Sequence, residues 1–101
     1  MVKRSRPISP GEILLEEFLR PAGMSQNELA RAVGVRPGQI NNIVRGRRGI
    51  TRDTASRLAV YWGTSPDLWL NLQARYDAKF AEREGIPIIA KHIRPRVPSP
   101  V

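Results

Sequence analysis

Two helix-start signals of the same kind lie close together near the beginning of this chain. Ser9 is followed three residues later by Glu12, and Ser25 is followed three residues later by Glu28. In such a capping box the serine hydroxyl accepts a backbone N–H of the first helical turn, and the acidic side chain accepts the N–H of the serine. Two helix starts so near each other restrict the first helix to a few turns. The chain is therefore expected to fold as a group of short helices.

Further caps and helix-stopping glycines divide the chain into five helices. Apolar residues at helical spacing, bounded by these signals, predict helices over Pro10–Arg20, Ser25 to Gly34, Pro37 to Gly46, Thr51 to Gly63, and Ser65 to about Arg83 or Glu84. No segment before residue 85 shows the alternation of a strand. We therefore predict an all-α fold with five helices.

The composition near the two ends predicts two regions outside this helical domain. Residues 1–7 are expected to form a flexible basic arm, residues 8–84 the domain, and residues 85–101 a Pro-rich basic tail. Gly85 and Pro87 are expected to end the fifth helix, so the tail should be mostly disordered or ordered by a partner. The alternative for Ile86–Ile89 is a short strand formed against that partner.

The residue types present exclude several classes of enzyme. The chain has no Cys and a single His, His92, which excludes thiol catalysis, disulfides, Cys-based zinc sites and a Ser-His-Asp triad within one chain. We expect no enzymatic activity, no cofactor and no metal site. No apolar run approaches the about 20 residues that span a bilayer, and the basic N-terminus lacks the apolar stretch of a signal peptide. A cytoplasmic protein without a membrane partner is expected.

The charge of the chain is strongly basic. Lys and Arg total 17 against 9 Asp and Glu, for a net charge of +8. Between Arg36 and Arg57 lie six arginines and one acid, Asp53. Such clusters attract polyanions, nucleic acids among them. A solvated Arg-rich surface that binds no nucleic acid would give the same count. The charge therefore does not decide between these two interpretations, and the sequence pattern has to.

The second and third predicted helices, joined by three residues, form a helix-turn-helix candidate. Ala30 is small enough for two helices to cross closely, and Gly34 supplies the positive φ of a tight turn. The spacing resembles that of the phage-repressor-like helix-turn-helix at six positions: Gln26, Ala30, Gly34, Val35, Ile40 and Ile43. This resemblance implies that the third helix reads DNA.

The outward face of the third predicted helix is polar. Asn and Gln can bond adenine edges and Arg can bond guanine, although an ordinary solvated face would also be polar. The candidate DNA-binding residues at this helix are Arg36, Pro37, Gly38, Gln39, Asn41, Asn42 and Arg45. We expect Gln39 and Asn42 at base edges, and Gly38 either near the DNA backbone or at a site with little selection. Gln26, Arg47 and Arg48 are expected to contact phosphates.

An apolar stripe runs along the fifth predicted helix. Its members are Trp69, Leu72, Tyr76 and Phe80. A single recognition helix reads only a few base pairs, and a two-fold dimer on a palindromic operator extends the readout. We therefore predict that these residues form a homodimer contact; packing within one chain is the alternative.

Four runs of this chain resemble the HigA-type antitoxins of the Xre family, over about residues 8–80. They are Pro10–Leu19, Ser25–Ala30, Ile43–Thr51 and Thr64–Gln73. The resemblance implies an antitoxin that neutralises a RelE-like toxin, a ribosome-dependent mRNA endonuclease, and represses its own operon as a dimer. The alternatives are a stand-alone Xre-family repressor without a toxin, and a toxin-binding protein whose DNA binding is weak.

Overall fold

The computed structural model describes residues 7–97, which form five helices and no strand. Helix α1 joins Pro10–Ile13, the π-helical segment Leu14–Leu19 and Arg20–Ala22; α2 is Gln26–Val33, α3 is Pro37–Val44 and α4 is Arg52–Trp62. Helix α5 begins as Pro66–Phe80 and continues through the π-helical segment Ala81–Gly85 into Ile86–Ile89. The all-α, five-helix prediction is confirmed. The predicted basic arm, except Pro7, and residues 98–101 of the predicted tail lie outside the described residues.

Both capping boxes form as predicted. Oγ of Ser9 accepts the N–H of Glu12 at 3.3 Å, and Oε1 of Glu12 accepts the N–H of Ser9 at 3.3 Å. At the start of α2 the two equivalent bonds between Ser25 and Glu28 are both 3.0 Å. Thr51 caps α4 in a simpler way, because its Oγ1 accepts the N–H of Thr54.

A single apolar core lies between the five helices. Its buried members are Leu14, Leu19, Leu29, Ala30, Val33, Ile40, Ile43, Ile50, Ala55, Leu58, Ala59 and Trp69. Each large aliphatic side chain in this set contributes about 1.5–3 kcal/mol by leaving water. The core thus fixes α2 and α3 against the rest of the domain. Within residues 7–97, none of these helices is long and apolar enough to cross a membrane.

Three aromatic rings close one side of the core. The ring of Phe18 lies 4.8 Å from that of Trp69 and 5.3 Å from that of Trp62. Trp69 is completely buried, and its Nε1–H donates to Oγ1 of Thr64 at 2.9 Å. The prediction that Trp69 contributes to a dimer surface is therefore wrong, because the helices of its own chain already cover it. Its spacing from the other stripe residues is that of a helix face, as predicted. Helical spacing does not show whether such a face packs inside one chain or against a second one.

Two helices continue through a proline beyond their predicted ends, which were Arg20 for the first helix and Arg83 or Glu84 for the fifth. Helix α1 continues through Pro21 to Ala22, and α5 continues through Pro87 to Ile89 instead of ending near Glu84. A proline in an α-helix loses one hydrogen bond and its ring collides with the carbonyl four residues earlier. Here a wider π-helical turn, with hydrogen bonds to the fifth preceding carbonyl, comes just before each proline and relieves this collision. Ile86–Ile89 is consequently helical in this chain alone, so the predicted end of the fifth helix near Glu84 is wrong. A strand formed by these residues against a partner stays a prediction.

Candidate nucleic-acid interface

Helices α2 and α3 form the predicted helix-turn-helix. Gly34 ends α2 with a φ of 75°, and the N–H of Val35 donates to the carbonyl of Ala30 at 2.9 Å. Ala30 is completely buried where the two helices meet. A side chain larger than a methyl group at that position would separate them. The turn therefore sets the direction in which α3 leaves the core.

Arg57, from α4, closes the C-terminal end of α2. Its Nη1 donates to the carbonyl of Val33 at 2.8 Å, and its Nε donates to Oδ2 of Asp53 at 2.9 Å. A cation at this end of a helix also interacts favourably with the helix dipole. The guanidinium group of Arg57 is thus engaged in contacts within the domain. This role was not predicted from the sequence, since Arg57 lies 24 residues beyond Val33.

Helix α1 supports α3 through an unusually close backbone contact. A Cβ atom added to Gly11 would overlap the carbonyl oxygen of Ile43 and lie 2.8 Å from Cα of Val44. Gly11 is buried and lies in the first turn of α1. No role for Gly11 was predicted from the sequence, although a glycine inside a helix is itself a signal of close packing. This contact holds the last turn of α3 in place.

The predicted DNA-binding residues at α3 differ in whether their side chains already have a hydrogen-bond partner within the domain. Four of them are exposed: Arg36, Pro37, Gly38 and Arg45. The two arginine side chains among these make no hydrogen bond in the described part of the chain. Gln39 and Asn41 are half-buried and already paired. Nε2 of Gln39 donates to Oγ1 of Thr54 at 3.1 Å, and Nδ2 of Asn41 donates to Oε1 of Gln26 at 3.1 Å.

Asn42 is half-buried, and its side chain makes no hydrogen bond within residues 7–97. Its amide therefore keeps both its donor and its acceptor capacity, which a bidentate bond to an adenine edge requires. The side-chain amides of Asn41 and Gln26 use part of their hydrogen-bonding capacity in the bond between them, and this bond links α3 to the start of α2. Gln26, placed at the first turn of α2, lies where a phosphate is favoured.

Residues 45–49, here called the arginine loop, follow α3. The backbone N–H groups of Arg47 and Arg48 both donate to the carbonyl of Asn42, at 2.8 and 3.2 Å. At the other end of the loop the N–H of Ile50 donates to Oε1 of Gln73 at 2.8 Å. The two arginine side chains are exposed beside the end of α3.

The arginines of this surface have uncompensated charge. Within the described residues, ion pairs join Arg20 to Glu16 and Arg57 to Asp53, and the two partners of each pair lie four residues apart on one helix. Arg36, Arg45, Arg47 and Arg48 have no acidic partner in that part of the chain. A surface that holds several free guanidinium groups around a polar helix attracts phosphates.

The remaining stripe residues of α5 lie beside a groove. Leu72 and Tyr76 are half-buried, Phe80 is 47% exposed, and the rings of Tyr76 and Phe80 are 6.0 Å apart. The groove, of about 450 Å³, is bordered by Ile8 and Ile13 of the α1 region, by Leu72 and Tyr76, and by the basic residues Arg75 and Lys79, whereas Phe80 does not line it. Apolar side chains thus remain accessible on this side of the domain.

Comparison with known proteins places the chain in a family. A family model for helix-turn-helix proteins, HTH_3, matches residues 15–69. Virulence-associated protein I of Dichelobacter nodosus is 54% identical over 77 residues, which make up 76% of this chain and 71% of that protein. The solved structure of antitoxin GraA has a TM-score of 0.80 at 46% identity and covers 91% of this chain and 100% of GraA.

A second solved structure connects this fold to DNA. Pseudomonas aeruginosa antitoxin HigA, solved with the higBA promoter, has a TM-score of 0.80 at 43% identity and covers 91% of this chain and 100% of that chain. These similarities confirm the resemblance to HigA-type antitoxins, because both of these solved structures are of antitoxins. The chain belongs to the helix-turn-helix family HTH_3, of the Xre type, and HigA antitoxins are among its structural relatives.

Proposed function

We propose that this protein is a sequence-specific DNA-binding antitoxin that represses its own operon as a dimer and neutralises a RelE-like mRNA endonuclease toxin. The observation that carries the DNA-binding part is the surface of α3. Helix α3 carries an unpaired Asn42 amide, and four arginines without acidic partners lie at its two ends: Arg36 before it, and Arg45, Arg47 and Arg48 after it. Such a surface suits the major groove, with amides at base edges and guanidinium groups at phosphates.

The likeness to HigA of Pseudomonas aeruginosa supports the same assignment, because that antitoxin was solved with its promoter. We infer that α3 enters the major groove of a palindromic operator and that Gln26, Arg47 and Arg48 contact phosphates. Gln39 would act at a base edge while Thr54 holds its amide. Gly38, at the start of α3, leaves open space in which a DNA backbone can approach, since nothing lies within 4 Å of an added Cβ.

A dimer supports this readout because two recognition helices one DNA turn apart, about 34–36 Å, double the number of base pairs read. We propose that Leu72, Tyr76 and Phe80 form the two-fold contact, with the groove beside Ile8 and Ile13 receiving the second copy. The same patch is then used by both subunits.

Binding to DNA from the region upstream of the protein's own gene tests the first part. Wild type should prefer this duplex to a scrambled duplex of equal length, and affinity should fall steeply with salt. Arg47→Ala and Arg48→Ala should each weaken binding to both duplexes and reduce the log–log salt slope by about one unit. Arg83→Ala, an exposed arginine of the π-helical segment of α5, is the matched control and should change neither.

Co-expression with the product of the neighbouring gene tests the second part. If that product arrests growth and mRNA cleavage stops when this protein is present, the antitoxin assignment holds. If the neighbour encodes no toxin while operator binding is specific, the protein is a stand-alone repressor of the Xre family. Binding of a toxin without any specific DNA binding would instead leave only the neutralising role.

A further inference from the structure

Gln73 connects helix α5 to the end of the arginine loop. Its Oε1 accepts the N–H of Ile50 at 2.8 Å across 23 residues of sequence. Ile50 is only 4% exposed, so the loop enters the core at this point. The loop is therefore fixed at this end by both a buried side chain and a hydrogen bond from another helix.

The Gln73 amide is held in one orientation. Its Nε2 donates to Oδ1 of Asp77 at 2.9 Å, which directs Oε1 toward the loop. The amide also packs directly against the loop backbone at Gly49, where an added Cβ would lie 3.2 Å from the amide carbon and nitrogen. Gly49 thus has no side chain at the place where Gln73 approaches.

We propose that Gln73 is a positioning residue for DNA binding, which holds the arginine loop so that Arg47 and Arg48 face the phosphates. The proposal rests on the proposed function, because it requires these arginines to contact DNA. The start of the loop is already fixed by the carbonyl of Asn42, while its far end is held by the buried side chain of Ile50 together with the Gln73 bond. A loop ordered before binding avoids the entropy loss of ordering it on the DNA.

The test compares Gln73→Ala with Asn71→Ala, which truncates an exposed amide of the same helix that has no hydrogen bond in the described part of the chain. Both variants and wild type are titrated by fluorescence anisotropy with the upstream duplex and its scrambled counterpart over a range of salt concentrations. Gln73→Ala should bind both duplexes about tenfold more weakly, with a salt slope lower by about one to two units. Asn71→Ala should match wild type, and circular dichroism should show all three proteins to be folded.

A charge-conserving exchange provides the rescue. In the double variant Gln73→Glu with Asp77→Asn, the carboxylate at position 73 accepts the N–H of Ile50. The amide at position 77 donates to that carboxylate, so the bond between positions 73 and 77 keeps its place with donor and acceptor exchanged. This variant should recover affinity to within about threefold of wild type together with the wild-type salt slope.

The outcomes separate the two proposals. A salt slope and affinity that stay unchanged in Gln73→Ala overturn the positioning role, and so does a folded exchange variant that binds as weakly as Gln73→Ala. If wild type itself binds no DNA in a salt-dependent way, the proposed function fails and the positioning role fails with it.

Discussion

Nε2 of Gln39 donates a hydrogen bond of 3.1 Å to Oγ1 of Thr54, a residue of α4 that is 1% exposed. The bond ties a side chain of the recognition helix to a buried position on another helix. It leaves Oε1 of Gln39 available as an acceptor and restricts the rotamers of the side chain. A contact ordered in this way before DNA arrives loses less entropy on binding.

Thr54→Val keeps the shape of the buried side chain and removes the hydroxyl that holds Gln39 and that also bonds Oγ1 of Thr51 at 3.3 Å. We expect operator affinity to fall by about 1 kcal/mol, or about fivefold, and base preference to relax at the position that Gln39 reads. The measurement is binding to a panel of operators with single base-pair changes. Ser56→Ala, which removes a hydroxyl from the exposed side of the same helix, should keep all preferences. Unchanged preferences in Thr54→Val would show that Gln39 does not depend on this bond.

Gly11→Ala should destabilise the fold by about 3 kcal/mol, because the new Cβ overlaps backbone atoms of Ile43 that cannot move alone. Gly38→Ala is the matched control on α3, where nothing lies within 4 Å of an added Cβ and the change should stabilise the helix by up to about 1 kcal/mol. Urea unfolding of both variants measures the difference. Equal stabilities would contradict the close crossing of α1 and α3.

The parts of the fold that follow local rules were predictable from the sequence. The capping boxes at Ser9 and Ser25 and the left-handed turn at Gly34 involve residues at most a few positions apart, and all three form as expected. The continuation of α1 through Pro21 and of α5 through Pro87 was not predictable, because a π-helical turn before each proline changes the usual rule.

The site was predicted as a set of residues on one helix face, but not as a set of contacts. The pairs Gln39–Thr54, Arg57–Val33 and Gln73–Ile50 join residues 15 to 24 positions apart, and their formation depends on how the helices pack. Trp69 illustrates the same limit. Its helical spacing placed it correctly on the apolar stripe, while its complete burial depends on Phe18 of a different helix.

Tyr76→Glu introduces a charge into the groove proposed as the dimer contact. Desolvating a carboxylate there and losing the contact of the Tyr76 ring with Phe80 should weaken the dimer by about 3 kcal/mol or more, roughly a hundredfold in Kd, and lower operator affinity as a result. Val60→Glu, at a position of α4 that is 85% exposed, serves as the control and should remain dimeric. Sedimentation at micromolar concentration distinguishes the species. A monomeric wild type, or a dimeric Tyr76→Glu, would move the contact elsewhere on the molecule.

The capping box of α2 should make stability depend on pH. The backbone N–H of Ser25, and then its hydroxyl, hold the pKa of Glu28 below its ordinary value. Because the folded-state pKa is the lower one, the ionised carboxylate stabilises the fold above its unfolded-state pKa, and this contribution disappears as the pH falls through the folded-state value. Glu28→Gln should therefore lose less stability than wild type between about pH 5 and about pH 3 in denaturant titrations. Identical pH profiles would rule out this contribution.

Base reading by α3 is tested most directly at the free amide of Asn42. Asn42→Ala leaves the backbone carbonyl that holds Arg47 and Arg48 in place, so the phosphate contacts should persist. Affinity for the upstream operator should fall by about 1–3 kcal/mol, while affinity for the scrambled duplex and the salt slope should stay at wild-type values. If Asn42→Ala binds both duplexes with the affinities of wild type, the assignment of α3 as the base-reading helix through Asn42 is contradicted.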